Sequence, residues 1–262
     1  MSFAPKKSLG QHWLYDPAAL QAVCDAAHIK NSDTVLEIGP GLGTLTNALV
    51  ERAKHVTAVE FDRDLASELS SRVTADNLEI INQDFLQFDL GRLPSGYKVA
   101  ANVPYYITSK IVRLLLESDN PPAEMALLIQ KEVAERMAAK PGGMSILAVA
   151  TQFYAVAKLG PVIPAELFTP PPKVNSRIIS LKYRKKPLFA DVVPAAYFRM
   201  VRAGFGEKRK TLRNSLSGGL RIDKSAAEAL LHAAHISPGA RAEQLSLDEW
   251  HVLTVMYATS QT

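Results

Sequence analysis

The sequence predicts an α/β protein: an open, doubly wound, mostly parallel sheet with a small all-helical domain at its C-terminal end. Three observations carry that expectation. Short apolar runs at 34–38, 55–60, 78–82, 99–102 and 125–130 alternate with stretches of helical periodicity, the pattern of parallel strands joined by crossover helices. A glycine-rich turn at 39–43 leads directly from the first run into an amphipathic stretch at 45–53. Beyond about residue 186 strand patterns stop and only helix signals remain.

In chain order, Asp16 and Pro17 read as the N-cap and first residue of a helix reaching about residue 28. The run 34–38 is a buried strand, and 55–60 is a second one ending on Glu60. A helix near 64–73, strands at 78–82 and 99–102, a helix through 116 and a strand at 125–130 continue the alternation. Residues 132–139 read as helix, 145–153 fit either state, 154–159 read as a strand, and 177–183 alternates as the last strand. Lys185-Lys-Pro187 reads as a linker, so the expected division is 1–186 for the sheet domain and 187–262 for the helical one. In the second, Asp223 and Ser246 sit where N-caps belong, and Ser246-Leu-Asp-Glu249 has capping-box spacing.

At 262 residues and 47% hydrophobic content the chain can bury a full core. No apolar run approaches the roughly 18–20 residues of a membrane span, and the opening residues lack the apolar stretch of a signal peptide. The single cysteine, Cys24, forms no internal disulfide, so a cytoplasmic protein without a membrane partner is expected. His232 and His235 share a helix face without a third ligand, and no metal is expected. The net charge of +4 is unevenly spread: residues 182–213 hold ten basic and two acidic side chains, a net of +8, leaving −4 for the rest. Clustered cations of this kind are the footprint of a phosphate-rich partner. Arg202, Lys208, Arg209, Lys210 and Arg213 are the candidate nucleic-acid contacts.

Asn102-Val-Pro-Tyr-Tyr106 carries the most specific chemistry. The lone pair of an exocyclic base amine is conjugated into its ring, so the amine is a poor nucleophile until hydrogen-bond acceptors draw the nitrogen toward a pyramidal shape. An Asn102 side-chain oxygen and a main-chain carbonyl fixed by Pro104 are two such acceptors. Tyr105 would stack on the base face. The implied reaction is methylation of an amino group on a base. Gly39, Gly41 and Gly43 alternate with Pro40 and Leu42, tighter than the G-x-G-x-x-G that seats a pyrophosphate at a helix N-terminus. That turn suits S-adenosylmethionine, with Glu60 accepting from both ribose hydroxyls. An acid at this place also serves NAD enzymes, so turn and Glu60 leave both cofactors open; Asp84, placed to meet an adenine amine, favours S-adenosylmethionine.

With these residues placed, the chain resembles the KsgA-type ribosomal RNA adenine dimethyltransferases. The matching stretches are Gly10-Gln-His-Trp-Leu14, Val35-Leu-Glu-Ile-Gly-Pro-Gly-Leu-Gly43, Glu60, Asp84, Asn102-Val-Pro-Tyr105, Gln130-Lys-Glu-Val133, Phe168-Thr-Pro-Pro-Pro-Lys173 and Lys208-Arg-Lys-Thr-Leu-Arg-Asn-Ser215. The resemblance implies a Rossmann-like methyltransferase domain whose cofactor site takes in Gln11, His12, Leu14, Gly39, Gly41, Glu60, Asp84 and Asn102. It implies that Tyr105 and Phe168 flank the target adenine and that Pro104 completes the catalytic loop. It further implies dimethylation at N6 of two neighbouring adenines in the 3′-terminal hairpin loop of small-subunit rRNA, late in assembly, with an immature 30S particle as partner and a monomeric enzyme. Two other readings are a resistance-type enzyme acting on large-subunit rRNA and an assembly factor that mainly docks. The chain departs from the family pattern at Val103, at Tyr106 (usually Asn or His), at Met144-Ser145 and at Trp13 (usually Phe).

Overall fold

A computed structural model describes residues 6, 9–207 and 209–261. The chain divides into two compact units: unit 1 comprises residues up to Glu135 together with Ala155–Tyr183, and unit 2 comprises Arg136–Tyr154 and Arg184 onward. The expected division at 186/187 differs from this grouping in two segments, 136–154 and 184–186. Residues 136–154, assigned from sequence to the sheet domain, share an apolar cluster with the C-terminal helices through Met144, Ala148, Val149 and Phe153.

Unit 1 is built on nine strands: β1 (Trp13–Leu14), β2 (Thr34–Ile38), β3 (His55–Glu60), β4 (Leu78–Asn82), β5 (Lys98–Asn102), β6 (Glu124–Gln130), β7 (Ala155–Ile163), β8 (Phe168–Thr169) and β9 (Ser176–Tyr183). Seven form one sheet in the order β4-β3-β2-β5-β6-β9-β7. The pairs from β4 through β6 are parallel, whereas β9 pairs antiparallel with both β6 and β7. The parallel strands at the centre are covered on both faces, which is why β5 and β6 read as unbroken apolar runs. Strand order reverses between β2 and β5, and open α/β sheets bind ligands outside the carboxyl ends of strands at such a switch point.

The helices of unit 1 begin with α1 (Pro17–Ala26), α2 (Thr44–Val50), α3 (Arg63–Arg72) and α4 (Thr108–Glu117). Asp16 caps α1 by accepting from the Ala19 amide, and the helix stops short of residue 28 because His28 takes a left-handed conformation. Leu20, Val23, Leu45 and Leu49 from α1 and α2 fill one face of the sheet against Val35, Val56, Ala100 and Leu128. A further helix, α5 (Lys131–Met137), leads the chain toward residues 138–154.

Unit 2 contains α6 (Ile146–Tyr154), α7 (Pro194–Phe205), α8 (Leu212–Leu220), α9 (Lys224–Ala233) and α10 (Leu247–Thr259). Of residues 145–153, open to either state from sequence, all but Ser145 are thus helical. Phe153 meets Tyr197 at 4.7 Å between ring centroids and Phe198 at 5.0 Å, and Trp250 is fully buried in the same cluster. A Cβ on Gly219 would lie 2.6 Å from Ala203 Cα, so α7 and α8 cross closely at a point only glycine permits. The Ser246–Glu249 capping box forms; Asp223 precedes α9 but its side chain makes no cap bond. No helix among the described residues is long and apolar enough to cross a membrane.

Candidate active site

The ends of β2, β3 and β5 and the turn after β4 open into one cavity of about 280 Å³. Its wall brings together Gln11, His12, Leu14, Gly39, Gly41, Glu60, Asp84, Asn102, Pro104 and Tyr105, residues spread over ninety positions of sequence. Each glycine of the turn has its own reason. All three hold φ between 58° and 82°, a region side chains avoid. A Cβ on Gly39 would meet nothing within 4 Å, so this stretch of main chain lies open to a ligand. At Gly41 it would press on the Trp13 indole at 3.4 Å, and at Gly43 it would strike Leu69 at 2.6 Å and Val73 at 2.8 Å. Gly43 therefore serves the seating of α3, and Gly39 serves the cavity.

Glu60 is buried and holds the turn from below. Its Oε2 accepts from the Gly41 amide at 3.0 Å and its Oε1 from the Asp62 amide at 2.8 Å. Burial pushes its carboxyl above the usual range, while those two main-chain bonds pull it back. Each oxygen keeps a second lone pair, so both can still accept from a diol. Asp84 is split in the same way: Oδ1 takes the Leu86 amide at 2.9 Å and caps a short 3₁₀ turn, which leaves the other oxygen to the cavity. Glu37 is buried at the floor, its carboxyl pushed up to about 8 by burial with the Glu60 charge adding to it.

The Asn102 loop is fixed at several points. Val103 donates to the Leu128 carbonyl at 3.1 Å, extending the β5–β6 pairing one step past the strand. Asn102 Nδ2 donates to the main-chain carbonyl of His12 at 2.9 Å. An amide whose nitrogen is spent this way presents its oxygen as the remaining acceptor. The Pro104 carbonyl already accepts from the Ile107 amide and the Thr108 hydroxyl, whereas among the described residues no hydrogen bond reaches the Val103 carbonyl. Tyr105 turns inward: its hydroxyl lies 2.6 Å from Ser176 Oγ, and its ring stacks with His12 at 5.9 Å. Burial raises the Tyr105 phenol, with the Ser176 bond acting against it.

Each residue expected at the cofactor, from Gln11 to Asn102, lines this cavity. Phe168 does not line it; the side chain is 2% exposed in the core, where β8 pairs with β1 and sets Phe168 opposite Leu14. The contact from that part of the chain is instead the Pro170 carbonyl, 2.7 Å from His12 Nδ1. Gln11 is committed locally, accepting from the Lys6 amide at 2.7 Å and reaching Asp62 at 3.4 Å. Lys6 also pairs with Asp62 at 2.8 Å, and residues 9–14 line the cavity, with Leu14 held in the β1–β8 pair. Two further aromatics line the cavity: Phe61, which has no sequence signal beyond being aromatic, is 60% exposed beside the Glu60 acid, and Tyr106, which the sequence marks as a departure from the family pattern, is 61% exposed beside Tyr105.

The cavity's electrostatics are one-sided. Glu60 and Asp84 line it as acids, beside a Glu37 that burial keeps protonated, and neither lysine nor arginine does among the described residues. A wall of acids without a cation repels a pyrophosphate and suits a ligand that is itself positive. Two buried polar atoms in this wall, Glu37 Oε2 and Trp13 Nε1, have no hydrogen-bond partner among the described residues.

A family model described as "Ribosomal RNA adenine dimethylase" matches residues 2–259. The chain belongs to the ribosomal RNA adenine dimethylase family. Among relatives, the ribosomal RNA small subunit methyltransferase A of Dehalococcoides mccartyi strain 195 is 42% identical over 256 residues, covering 96% of this chain and 88% of that protein. Among solved structures, a dimethyladenosine transferase from Plasmodium falciparum superposes with a TM-score of 0.82 at 26% identity, covering 95% of this chain and 98% of the other. The 23S rRNA methyltransferase ErmE follows at 0.76 and 30% identity, covering 93% and 98%. As a member of this family the chain is a methyltransferase of ribosomal RNA adenines, on the doubly wound sheet the sequence predicts.

In unit 2 the basic segment is partly neutralised. Lys210 is paired with Glu207, and Arg213 with Glu228 at 3.2 Å. Arg202 and Arg209 are exposed and make no ion pair among the described residues. Lys208 lies outside the described residues.

Proposed function

We propose that this protein uses S-adenosylmethionine to dimethylate N6 of two adjacent adenines in the 3′-terminal hairpin loop of 16S rRNA, acting as a monomer on an immature 30S particle in the cytoplasm. The acid-lined cavity, with no lysine or arginine among its described lining residues, carries the cofactor assignment, because it favours a sulfonium and ammonium over the pyrophosphate of a dinucleotide. When bound, S-adenosylmethionine supplies a methyl group activated on positively charged sulfur. Glu60 would hold its ribose, Asp84 its adenine amine, and the open main chain at Gly39 its methionine part.

The rest of the mechanism belongs to the chain's own groups. The Asn102 amide oxygen and the Val103 carbonyl accept the two N–H groups of the target amine, and Tyr105 supports the base face from a ring locked by Ser176. This orients the nitrogen lone pair for direct in-line attack. Cys24 is fully buried on the inner face of α1, with its thiol pushed up to about 11 by burial, so no cysteine nucleophile takes part. After one transfer the cationic amine loses a proton to solvent and a single N–H remains, which the Asn102 oxygen can still take. Positioning of this kind can be worth roughly 7–11 kcal/mol in favourable cases. An unpaired loop adenine is the cheaper substrate, since it need not be pulled from a duplex. Nucleoside mass spectrometry of 16S and 23S rRNA from cells with and without the gene tests the proposal. N6,N6-dimethyladenosine should vanish from 16S in the deletion; its loss from 23S instead would transfer the assignment to the large subunit.

A further inference from the structure

Tyr105 and Tyr106 are consecutive residues of one short 3₁₀ turn, Tyr105–Ile107, and both line the cavity, yet they are held in opposite ways. Tyr105 is tied inward through Ser176 and His12. Tyr106 is 61% exposed, among the largest apolar surfaces presented to solvent in unit 1, and its hydroxyl makes no hydrogen bond among the described residues. The ring is nonetheless not loose. A Cβ on Gly10 would lie 3.4 Å from Tyr106 Cδ1 and 3.6 Å from Cε1, so one edge rests on the main chain of the segment that walls the cavity. Gly10 has φ of +60°, so backbone conformation as well as the closeness of the ring favours glycine there.

We infer that Tyr106 is a stacking platform for the unpaired base next to the one being methylated. This rests on the proposed RNA substrate and deepens it by assigning a second base-binding surface. An aromatic face kept in water at the rim of a nucleobase cavity, braced along one edge, offers a flat surface that any purine or pyrimidine can cover. Two rings on neighbouring residues, one facing in and one facing out, match a strand in which one base enters the cavity and its neighbour stays at the mouth. The alternative role for the ring is to hold the Gly10 segment over the cofactor, and the two roles separate by which ligand a substitution affects.

The experiment compares wild type with Tyr106→Ala, Tyr106→Leu and Tyr106→Phe, measuring KM for under-methylated 30S subunits and, by calorimetry, Kd for S-adenosylmethionine. Loss of one stacked base predicts a KM for subunits raised roughly tenfold or more in the Ala and Leu variants, with Phe close to wild type. Cofactor Kd should stay within about twofold in all three, because stacking on RNA does not involve the cofactor. The Leu variant keeps an apolar contact on Gly10, so its failure cannot be ascribed to a released segment. An unchanged subunit KM in Ala and Leu overturns the inference, as does a change confined to cofactor Kd, or a Phe variant as impaired as Ala. A wild-type protein that binds cofactor but methylates no 30S adenine would overturn the proposed function itself, a result distinct from any of these.

Discussion

The side-chain nitrogen of Asn102 donates to the main-chain carbonyl of His12 at 2.9 Å, a bond across ninety residues of chain. It joins the segment that walls the cofactor cavity to the loop proposed to grip the base, and it decides which end of the amide faces the substrate. His12 is fixed in turn, its Nδ1 2.7 Å from the Pro170 carbonyl. Cofactor wall, base loop and proline-rich turn therefore share one residue.

Asn102→Asp tests that orientation. A carboxylate keeps an acceptor but cannot donate to the His12 carbonyl, and two oxygens would then face each other at hydrogen-bond distance. The expected loss in kcat is about as large as for removing the side chain, on the order of 10²-fold, because an acceptor pointed wrongly gives no orientation. Single-turnover methyl transfer to under-methylated 30S subunits measures it; near wild-type turnover would show that the His12 bond is dispensable.

Ser176→Ala and Tyr105→Phe each break the 2.6 Å hydroxyl pair behind the proposed base-stacking ring. Each should cost about 1 kcal/mol in stability for a part-buried hydrogen bond, and the double variant should cost little more than either alone. Urea denaturation across the four proteins of the cycle checks this. Additive losses would mean that the two hydroxyls act independently.

Glu60→Gln replaces two acceptor oxygens by one. One of the Gly41 and Asp62 amides must then face an NH₂ group, leaving a buried donor unmet at a cost of about 1–3 kcal/mol. S-adenosylmethionine affinity should fall by roughly 10- to 100-fold, since turn and ribose acceptor are lost together. Calorimetry that finds unchanged affinity would remove Glu60 from the cofactor site.

Glu37 gives a pH signature. Its folded-state carboxyl, raised by burial from 4.5 to about 8, holds a proton that the unfolded chain releases between those values. The unfolded state thus binds fewer protons, so this residue makes stability fall as pH rises from 4.5 to about 8 and level off above. Glu37→Gln stays neutral throughout. Its stability relative to wild type should climb with pH across that window, and a difference independent of pH would contradict a protonated Glu37.

On the basic segment of unit 2, Arg209→Glu should weaken subunit binding and flatten its dependence on salt more than Lys210→Glu. Arg209 makes no ion pair among the described residues, whereas Lys210 is partly neutralised by Glu207. Binding measured between 50 and 200 mM salt decides it. Equal slopes for both variants and wild type would remove this segment from the docking surface.

Much of this was legible before any coordinates. The strands at 34–38 and 55–60 match the structure because parallel strands buried on both faces read as near-continuous apolar runs, and 78–82 matches as the partly exposed edge strand β4. Glu60, Asp84 and Asn102 could be placed because each closes or follows such a strand. What escaped the sequence shares a physical cause. The two-residue strands β1 and β8 are too short for any period, so their pairing, which buries Phe168 in the core, had no signal. Helix α6 is apolar nearly all round, which hides the helical period that would have separated it from a strand. Phe61 looks like an ordinary core aromatic until the fold exposes it.

The most direct test is single-turnover transfer of a labelled methyl group to under-methylated 30S subunits by Asn102→Ala, paired with calorimetry of S-adenosylmethionine binding to the same variant. The account predicts a rate lower by roughly 10²- to 10³-fold with cofactor affinity changed by only a few fold. Wild-type transfer by that variant would contradict it, because the amine would then be oriented by something other than the amide oxygen held through His12.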